Sequence, residues 1–239
     1  SIFSGCSTLL KREADGLFEY TTDGLIFTPS DFGVGSDKVG EAGPLSKITW
    51  EYSFKWKPSK YNTIDFLVSM KKSEDGKQEI NTIFDSGINA ASVSQYKKYK
   101  TLVLRCGFNE KQHGFINPFQ DVIDDKIPEH KDFSKGNDMG YVPMQFYPTD
   151  PYDKDGGICN IVLRSDSNGI EQMYTEENEV FDDNMIVEFR YELSNDSGWR
   201  WVPLRVRYDK TAELMAGKKQ FGNAYNVANS NWHSIHYPI

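Results

Sequence analysis

The chain is short of cysteine, histidine and long apolar runs, and it has no overall excess of positive charge. Its three cysteines, Cys6, Cys106 and Cys159, are odd in number and far apart. That argues against a disulfide framework and against a zinc site, and it fits a reducing compartment. Cys106 and Cys159 each sit in an apolar run and read as core residues. Of the four histidines, only His233 and His236 stand close together, and an ordinary surface or interface role is expected there rather than metal binding. No stretch approaches the roughly 18 apolar residues of a membrane span, and no signal-peptide pattern stands at the start. The formal net charge is -8, so the broad basic face of a general nucleic-acid binder is missing.

What is present is enough for a core. The chain has 239 residues, 38% of them hydrophobic and 14% aromatic, which allows one large domain or two modest ones. Aromatic and β-branched residues recur in short runs between Gly, Asp, Asn and Pro, so the expected fold class is mainly β (α+β). The positive charge is gathered in two places. Residues 44–61 hold four lysines against Glu51, and residues 199–220 hold six basic residues against Asp209 and Glu213. Residues 165–198 hold ten acids and only Arg190 as a base. Focused cations on an acidic body suit a small anionic ligand or the end of a polynucleotide, although each segment could also be a solvated strand face.

The two cationic segments read Phe54-Lys55-Trp56-Lys57-Pro58, continuing Asn62-Thr63-Ile64-Asp65-Phe66, and Trp201-Val202-Pro203-Leu204-Arg205-Val206-Arg207-Tyr208-Asp209-Lys210. In an extended strand alternate residues face the same way. Lys55 would then point with Lys57, and Arg205 with Arg207. Paired cations on a rigid strand suit a polyphosphate, since charge-assisted hydrogen bonds to phosphate are short and strong.

A helical stretch is expected over 7–20. A short strand at Leu25-Ile26-Phe27 follows Asp23-Gly24, and a Gly- and Ser-rich loop covers 30–46. Strands are expected at 48–56, 63–70, 99–106, 158–164, 185–193 and 199–208, with a turn or hairpin tip at 71–79. Residues 109–157 carry five of the ten prolines and read as loop-rich with little regular structure. A short helix is expected from Thr211. The run from Glu176-Glu177 to Asp182-Asp183 reads as a solvated loop, and Trp50, Trp199, Trp201 and Trp232 as packing residues.

Three motifs occur in order: Asp23-Gly24-Leu25-Ile26-Phe27, then Lys55-Trp56-Lys57-Pro58 with Asn62-Thr63-Ile64-Asp65-Phe66, then Arg207-Tyr208-Asp209-Lys210. On these the chain resembles the mRNA guanylyltransferases (capping enzymes) of the covalent nucleotidyltransferase superfamily, and looks most like those of large nucleocytoplasmic DNA viruses. The resemblance covers nearly the whole chain. It implies the C-terminal part of a nucleotidyltransferase domain over 1–69 and an OB-fold domain over 70–212 with an insertion around 107–157. Residues 213–239 would be a helix and linker toward a following guanine-N7 methyltransferase, with a triphosphatase earlier in the parent chain. The implied activity is transfer of GMP from GTP, through a lysine–GMP intermediate, to the 5′-diphosphate end of RNA, with Mg2+ or Mn2+ assisting.

The same resemblance implies roles for single residues. Lys55 and Lys57 would contact the α-phosphate, and Asp23, followed by Gly24, would hold a metal or its water. Arg207 and Lys210 would grip the β- and γ-phosphates with Asp209 orienting them, the OB-fold domain closing over GTP. Arg205 would bind phosphate or RNA, and Asp65 would either bind nucleotide or orient Lys55 or Lys57 through a buried salt bridge. The family's K-x-D-G nucleophile motif is absent. Lys11-Arg12-Glu13-Ala14-Asp15-Gly16 has the lysine four residues before the aspartate rather than two, so the chain reads as a fragment that lacks its nucleophile. The implied setting is the host cytoplasm, a virus factory or the virion, without a membrane partner. Two alternatives stand beside this: an ATP-dependent polynucleotide ligase, and a non-catalytic OB-type module that binds nucleic acid or protein.

Overall fold

The computed structural model describes residues 1–44, 50–85, 95–125 and 140–238. The chain divides into two compact units, Ser1–Tyr61 and Asn62–Ile239. Lys47, His130 and the first two residues of the strand expected at 48–56 lie outside the described residues.

The first unit opens with helix α1 (Ile2–Ala14). Ser1 caps it by accepting a hydrogen bond from the Ser4 N–H (3.3 Å), and Lys11 and Arg12 lie in its last turn, where cations complement the helix dipole. The helix therefore starts earlier than the sequence pattern suggests, and it stops at Asp15 and Gly16, the latter at φ +66°. Strands β1 (Leu25–Phe27) and β2 (Phe54–Trp56) pair antiparallel, Leu25 opposite Trp56 and Ile26 opposite Lys55. Of the described residues in the strand expected over 48–56, only Phe54–Trp56 are extended, because the backbone turns before them, with Ser53 N–H donating to the Trp50 carbonyl (3.2 Å).

The second unit is mainly β. Its strands are β3 (Thr63–Met70), β4 (Ile80–Asp85), β5 (Gln95–Phe108), β6 (Val142–Gln145), β7 (Ile158–Val162), β8 (Arg164–Ser165), β9 (Glu171–Tyr174), β10 (Val180–Phe181), β11 (Ile186–Tyr191) and β12 (Trp201–Val206). Helices α2 (Glu110–His113), α3 (Pro118–Ile123), α4 (Tyr208–Met215) and α5 (Tyr225–His236) complete it. The main sheet runs β12-β11-β3-β5-β4, with β6 and β7 also paired to β5. Long β5 makes this possible: one edge pairs with β4 and then β3, the other with β7 and then β6. From β7, Asn160 N–H donates to the Gly198 carbonyl just before β12 (2.7 Å), and Cys159 Sγ donates to the Trp201 carbonyl (3.2 Å). The sheet thereby returns on itself around a core.

That core has the period of a strand and of a helix at once. Ile64, Phe66, Val68 and Met70 of β3 face inward, as do Val187, Phe189 and Tyr191 of β11. Phe66 packs against Phe146 and Trp201 at ring-centroid distances of 5.2 and 5.1 Å. Cys106 and Cys159 are buried in it as the sequence suggested, and burial pushes both thiols up to about 12. Trp201 and Trp232 also pack there.

Several elements differ from expectation. Residues 213–239 contain helix α5, whose Tyr225, Ala228, Trp232 and Ile235 form a buried stripe at helical spacing, so this tail is part of the second unit's core rather than a linker. The expected boundary at 69/70 falls at the end of β3, a strand paired on both sides, while the compact units divide after Tyr61. The described residues of 109–157 include β6 and the short helices α2 and α3. The run 176–183 is not only a solvated loop: Glu179 accepts from Val206 N–H (2.6 Å), Asp183 accepts from Met70 N–H (2.9 Å), and Phe181 is buried.

Candidate functional site

In the first unit the β1–β2 ladder sets Asp23-Gly24 beside Lys55-Trp56-Lys57. Gly24 sits at φ +148°, and a Cβ there would lie 2.0 Å from the Trp56 carbonyl oxygen. Only glycine permits that approach. The approach brings Asp23 to Lys57, and their side chains form an ion pair. Lys57 holds the Asp23 carboxyl below its usual range, partial burial opposes this, and the charge of Lys55 adds to the lowering. Both partners are solvent-accessible, at 39% and 67% side-chain exposure. Lys55, opposite Ile26, is exposed.

In the second unit a denser cluster forms on the outer face of the sheet. Because Ile64 and Phe66 turn inward, Asp65 points out, next to Glu188 of β11, which is in register with Arg205 of β12. Strand β12 stops at Val206, and Arg207 becomes the N-cap residue of α4. Arg207 lies just past the strand end, yet its charge, like that of Arg205, reaches Glu188 on the same face. Arg207 N–H donates to the Ile186 carbonyl (2.8 Å), and Thr211 Oγ1 accepts from Ile186 N–H (3.0 Å). These bonds seat the first turn of α4 on β11 and carry Arg207 and Lys210 over Asp65.

The Asp65 Oδ2 atom accepts from both Arg207 Nη1 (2.5 Å) and Lys210 Nζ (2.6 Å). Asp65 is 5% exposed. The structure thus gives Asp65 partners in the third motif, where the sequence suggested Lys55 or Lys57. Asp209, in the first turn of α4, takes two further bonds from Arg207, at Nε (3.1 Å) and Nη2 (2.9 Å). That fork holds the Asp209 carboxyl down to about 2 and raises Arg207. Arg205 donates from Nε to Glu188 Oε2 (2.7 Å), and Glu188 also accepts from the Thr63 hydroxyl (2.6 Å). Burial pushes Glu188 up, but these bonds and the charges of Arg205 and Arg207 outweigh it and leave it lowered.

Two supporting residues escaped the sequence reading. Glu188 lay within the acidic stretch 165–198 and had no visible partner. Asn223 clamps Asp65 from behind: its side-chain oxygen accepts from Asp65 N–H (2.7 Å), and its own N–H donates to the Asp65 carbonyl (2.8 Å). Gly222, at φ +83°, permits this, since a Cβ there would meet the Asp65 carbonyl oxygen at 2.2 Å. The strand-like pairing of Phe66 with Gly222 is the signal that a sequence pattern cannot carry over so long a separation.

Chemically, the cluster holds two cations side by side that would otherwise repel. Arg207 and Lys210 keep 25% and 21% of their side-chain surface open. Lys210 has three donors and one bond to Asp65, so it can still donate to an anion.

A divalent cation of the Mg2+ or Mn2+ kind takes several oxygen ligands. Asp23 supplies one carboxylate, already paired with Lys57, and the described residues contain no group of three or more His, Cys, Asp or Glu able to hold a metal.

No protein-family model matches the chain. Among curated proteins it is similar to a protein of Acanthamoeba polyphaga mimivirus named probable mRNA-capping enzyme, with 27% identity over 236 residues. That match covers 93% of this chain and 16% of the relative, so the chain spans less than a fifth of that protein's length. The resemblance to viral capping enzymes read from the three motifs is thereby supported across nearly the whole chain. No helix among the described residues is long and apolar enough to cross a membrane.

Proposed function

We propose that this chain is part of an mRNA guanylyltransferase that moves GMP from GTP to the 5′-diphosphate end of RNA. One observation carries the reading. Asp65 of the second motif and Arg207 and Lys210 of the third, 142 and 145 positions away, form a single hydrogen-bonded group in a chain similar along its length to a capping enzyme. The second unit's strands support the OB-type part of the proposal. Strands β3, β5, β7, β12 and β11 follow one another around a five-stranded Greek-key order of the kind that OB-folds use.

On this reading a lysine of the parent protein attacks the α-phosphorus of GTP. A P–N bond forms, the bond to the bridging oxygen breaks, and pyrophosphate leaves. An oxygen of the RNA 5′-diphosphate then attacks the same phosphorus, the P–N bond breaks, and the lysine is released. No K-x-D-G occurs here, and Lys11 lies in the last turn of α1, so the nucleophile belongs to the rest of the parent. Lys55 and Lys57 neutralise the α-phosphate oxygens. Arg207 and Lys210 hold the β- and γ-phosphates, with Asp209 fixing the Arg207 fork, and Arg205 adds charge for phosphate or RNA. Positioning and charge stabilisation supply most of the catalysis in phosphoryl transfer. A triphosphatase and a guanine-N7 methyltransferase on the same parent would complete the cap, in the host cytoplasm or a virus factory.

The test is to incubate the full-length parent with α-labelled GTP and Mg2+ or Mn2+. A protein–GMP adduct stable to denaturant and labile to acid is expected. Labelling by ATP instead would favour a polynucleotide ligase, and no labelling by either would favour a non-catalytic OB-type binding module, the reading that the absent nucleophile motif supports.

A further inference from the structure

Strands β4 and β5 form an arm with two unlike faces. The register sets Phe84 opposite Tyr96, Thr82 opposite Lys98 and Ile80 opposite Lys100. Since alternate residues share a face, these six side chains occupy one side of the hairpin. Phe84 and Tyr96 are 56% and 76% exposed, yet their rings meet edge to face at 5.5 Å. The opposite side carries Tyr99, which packs on Trp199 at 5.1 Å and anchors the arm to the second unit. That face is therefore held at its base, while the first presents an aromatic pair followed by two lysines.

We propose that this open face binds single-stranded RNA, bases stacking on Phe84 and Tyr96 and phosphates meeting Lys98 and Lys100. The choice of RNA as ligand rests on the capping reading. The location rests on the arm alone. Surfaces that bind single strands combine exposed aromatic rings with cations that track the backbone, and the loop between the first two strands of an OB-type barrel is one of the places where such barrels hold oligonucleotides. The arm interrupts the chain between β3 and β5, the corresponding position here. Charge favours a polyanion over an apolar protein partner. Residues 71–85 and 95–100 hold six lysines against four acids, while the whole chain stands at -8. Lys98 is bound to Glu171 at 3.0 Å, with both side chains accessible, and Lys100 to Gln78 at 2.8 Å. A phosphate can displace exposed contacts of this kind at little cost.

The experiment measures fluorescence anisotropy of a 5′-labelled single-stranded RNA 20-mer with the 239-residue chain, wild type against Phe84→Ala/Tyr96→Ala. Binding should weaken by roughly tenfold or more, since each stacked base contributes a factor of that order. Phe84→Trp/Tyr96→Trp should retain wild-type affinity, and circular dichroism should show all three folded. Lys98→Gln should make the slope of log affinity against log salt shallower by about 0.7. Affinity of the double alanine variant within twofold of wild type overturns the proposal, as does absence of RNA binding by the wild type. Loss of self-association in sedimentation, with RNA affinity unchanged, would assign the face to protein pairing and also overturn it. These readouts involve no GTP, so an arm that binds RNA in a parent that forms no GMP adduct would leave this inference standing while the guanylyltransferase reading failed.

Discussion

Two acid–base pairings built from the same three motifs behave differently. In the first unit Asp23 and Lys57 meet on the rim of a two-stranded ladder, both accessible to solvent. In the second unit Asp65 sits on a strand paired on both sides, almost wholly buried, and two cations converge on one of its oxygens. From the sequence a buried salt bridge was one of two expectations for Asp65, but with Lys55 or Lys57 as its partner, so the contrast was only half visible. Burial of the carboxylate makes the difference. A buried anion without partners is costly, so Asp65 holds its cations in place whether or not a ligand is present. An exposed pair is screened and contributes little, so the Lys57–Asp23 pair can open at little cost. The cluster in the second unit is therefore preformed, whereas the pair in the first unit can open.

The sharpest way to break this contrast is to remove the buried anion. Asp65→Asn should destabilise the second unit by about 3 kcal/mol, at the lower end of the range for removing one member of a buried pair because its two partners keep some exposure. Chemical denaturation of the chain would read this as a lowered midpoint. Adding Lys210→Met should recover part of the loss, since one stranded cation is then gone. If Asp65→Asn costs no more than Asp23→Asn, burial is not what separates the two pairings.

Next in size is the effect on chemistry in the parent. Lys210→Ala and Lys57→Ala should each lower the rate of GMP-adduct formation by roughly 100-fold or more, the cost of losing one preorganised charge in phosphoryl or acyl transfer. The two should differ in the apparent affinity for GTP. Lys210→Ala disturbs a cluster already formed without nucleotide, whereas Lys57→Ala removes a group that must first leave Asp23. Wild-type labelling by both variants would remove these lysines from the machinery.

A smaller effect separates the pairings on stability alone. Asp23→Asn should change the denaturation midpoint by less than about 1 kcal/mol, because the ion pair it breaks is solvated on both sides. Gly24→Ala, in contrast, should be felt although it removes no charge, since the added Cβ would collide with the Trp56 carbonyl and the residue would be held at φ +148°, where only glycine is comfortable. The ladder's tight approach, more than the salt link, holds Asp23 next to Lys57.

How much of this was legible in the sequence depended on whether the information was local. The motifs, the mainly β class, the buried cysteines and the turn at 71–79 are written in short windows, and Gly76 at φ +77° with the Lys72–Gln78 bridge matches the expected turn. Arg205 and Arg207 do share a face, both charges reaching Glu188, but the end of the strand at Val206, set by the seating of α4 on Ile186, was not visible in the pattern. Helix α5 was legible in principle from Tyr225, Ala228, Trp232 and Ile235, but a polar, Asn-rich surface obscured the stripe. The clamp of Asn223 on Asp65 was not legible because it joins segments far apart in the chain, and the pairing of Glu188 with Arg205 was not legible because the β11–β12 register shifts between Glu188 and Phe189. The acids at 176–183 looked solvated because Glu179 and Asp183 bind backbone N–H groups of β12 and β3, which no side-chain pattern shows.

The smallest predicted effect concerns acid. Asp209 is held down to about 2 by the Arg207 fork, whereas an unfolded aspartate titrates near 3.9. A carboxyl depressed in the folded state contributes stability that is present above the unfolded value and is lost as the pH falls through the folded one. The Asp209 contribution should therefore be complete above roughly pH 4 and fade between there and about pH 2. Asp209 is 66% exposed, so screening keeps the amount well below about 1 kcal/mol. Glu188 is lowered as well, by Thr63 and Arg205 against its burial, and it adds to the same acid limb. Thermal denaturation of wild type and Asp209→Asn at pH 6 and pH 3 isolates the Asp209 part. The variant should be slightly less stable at pH 6, and the gap should narrow at pH 3 while the Glu188 loss remains common to both. A gap that widens in acid would mean that Arg207 does not hold Asp209 in the folded chain, and the third motif would then be fixed by Asp65 alone.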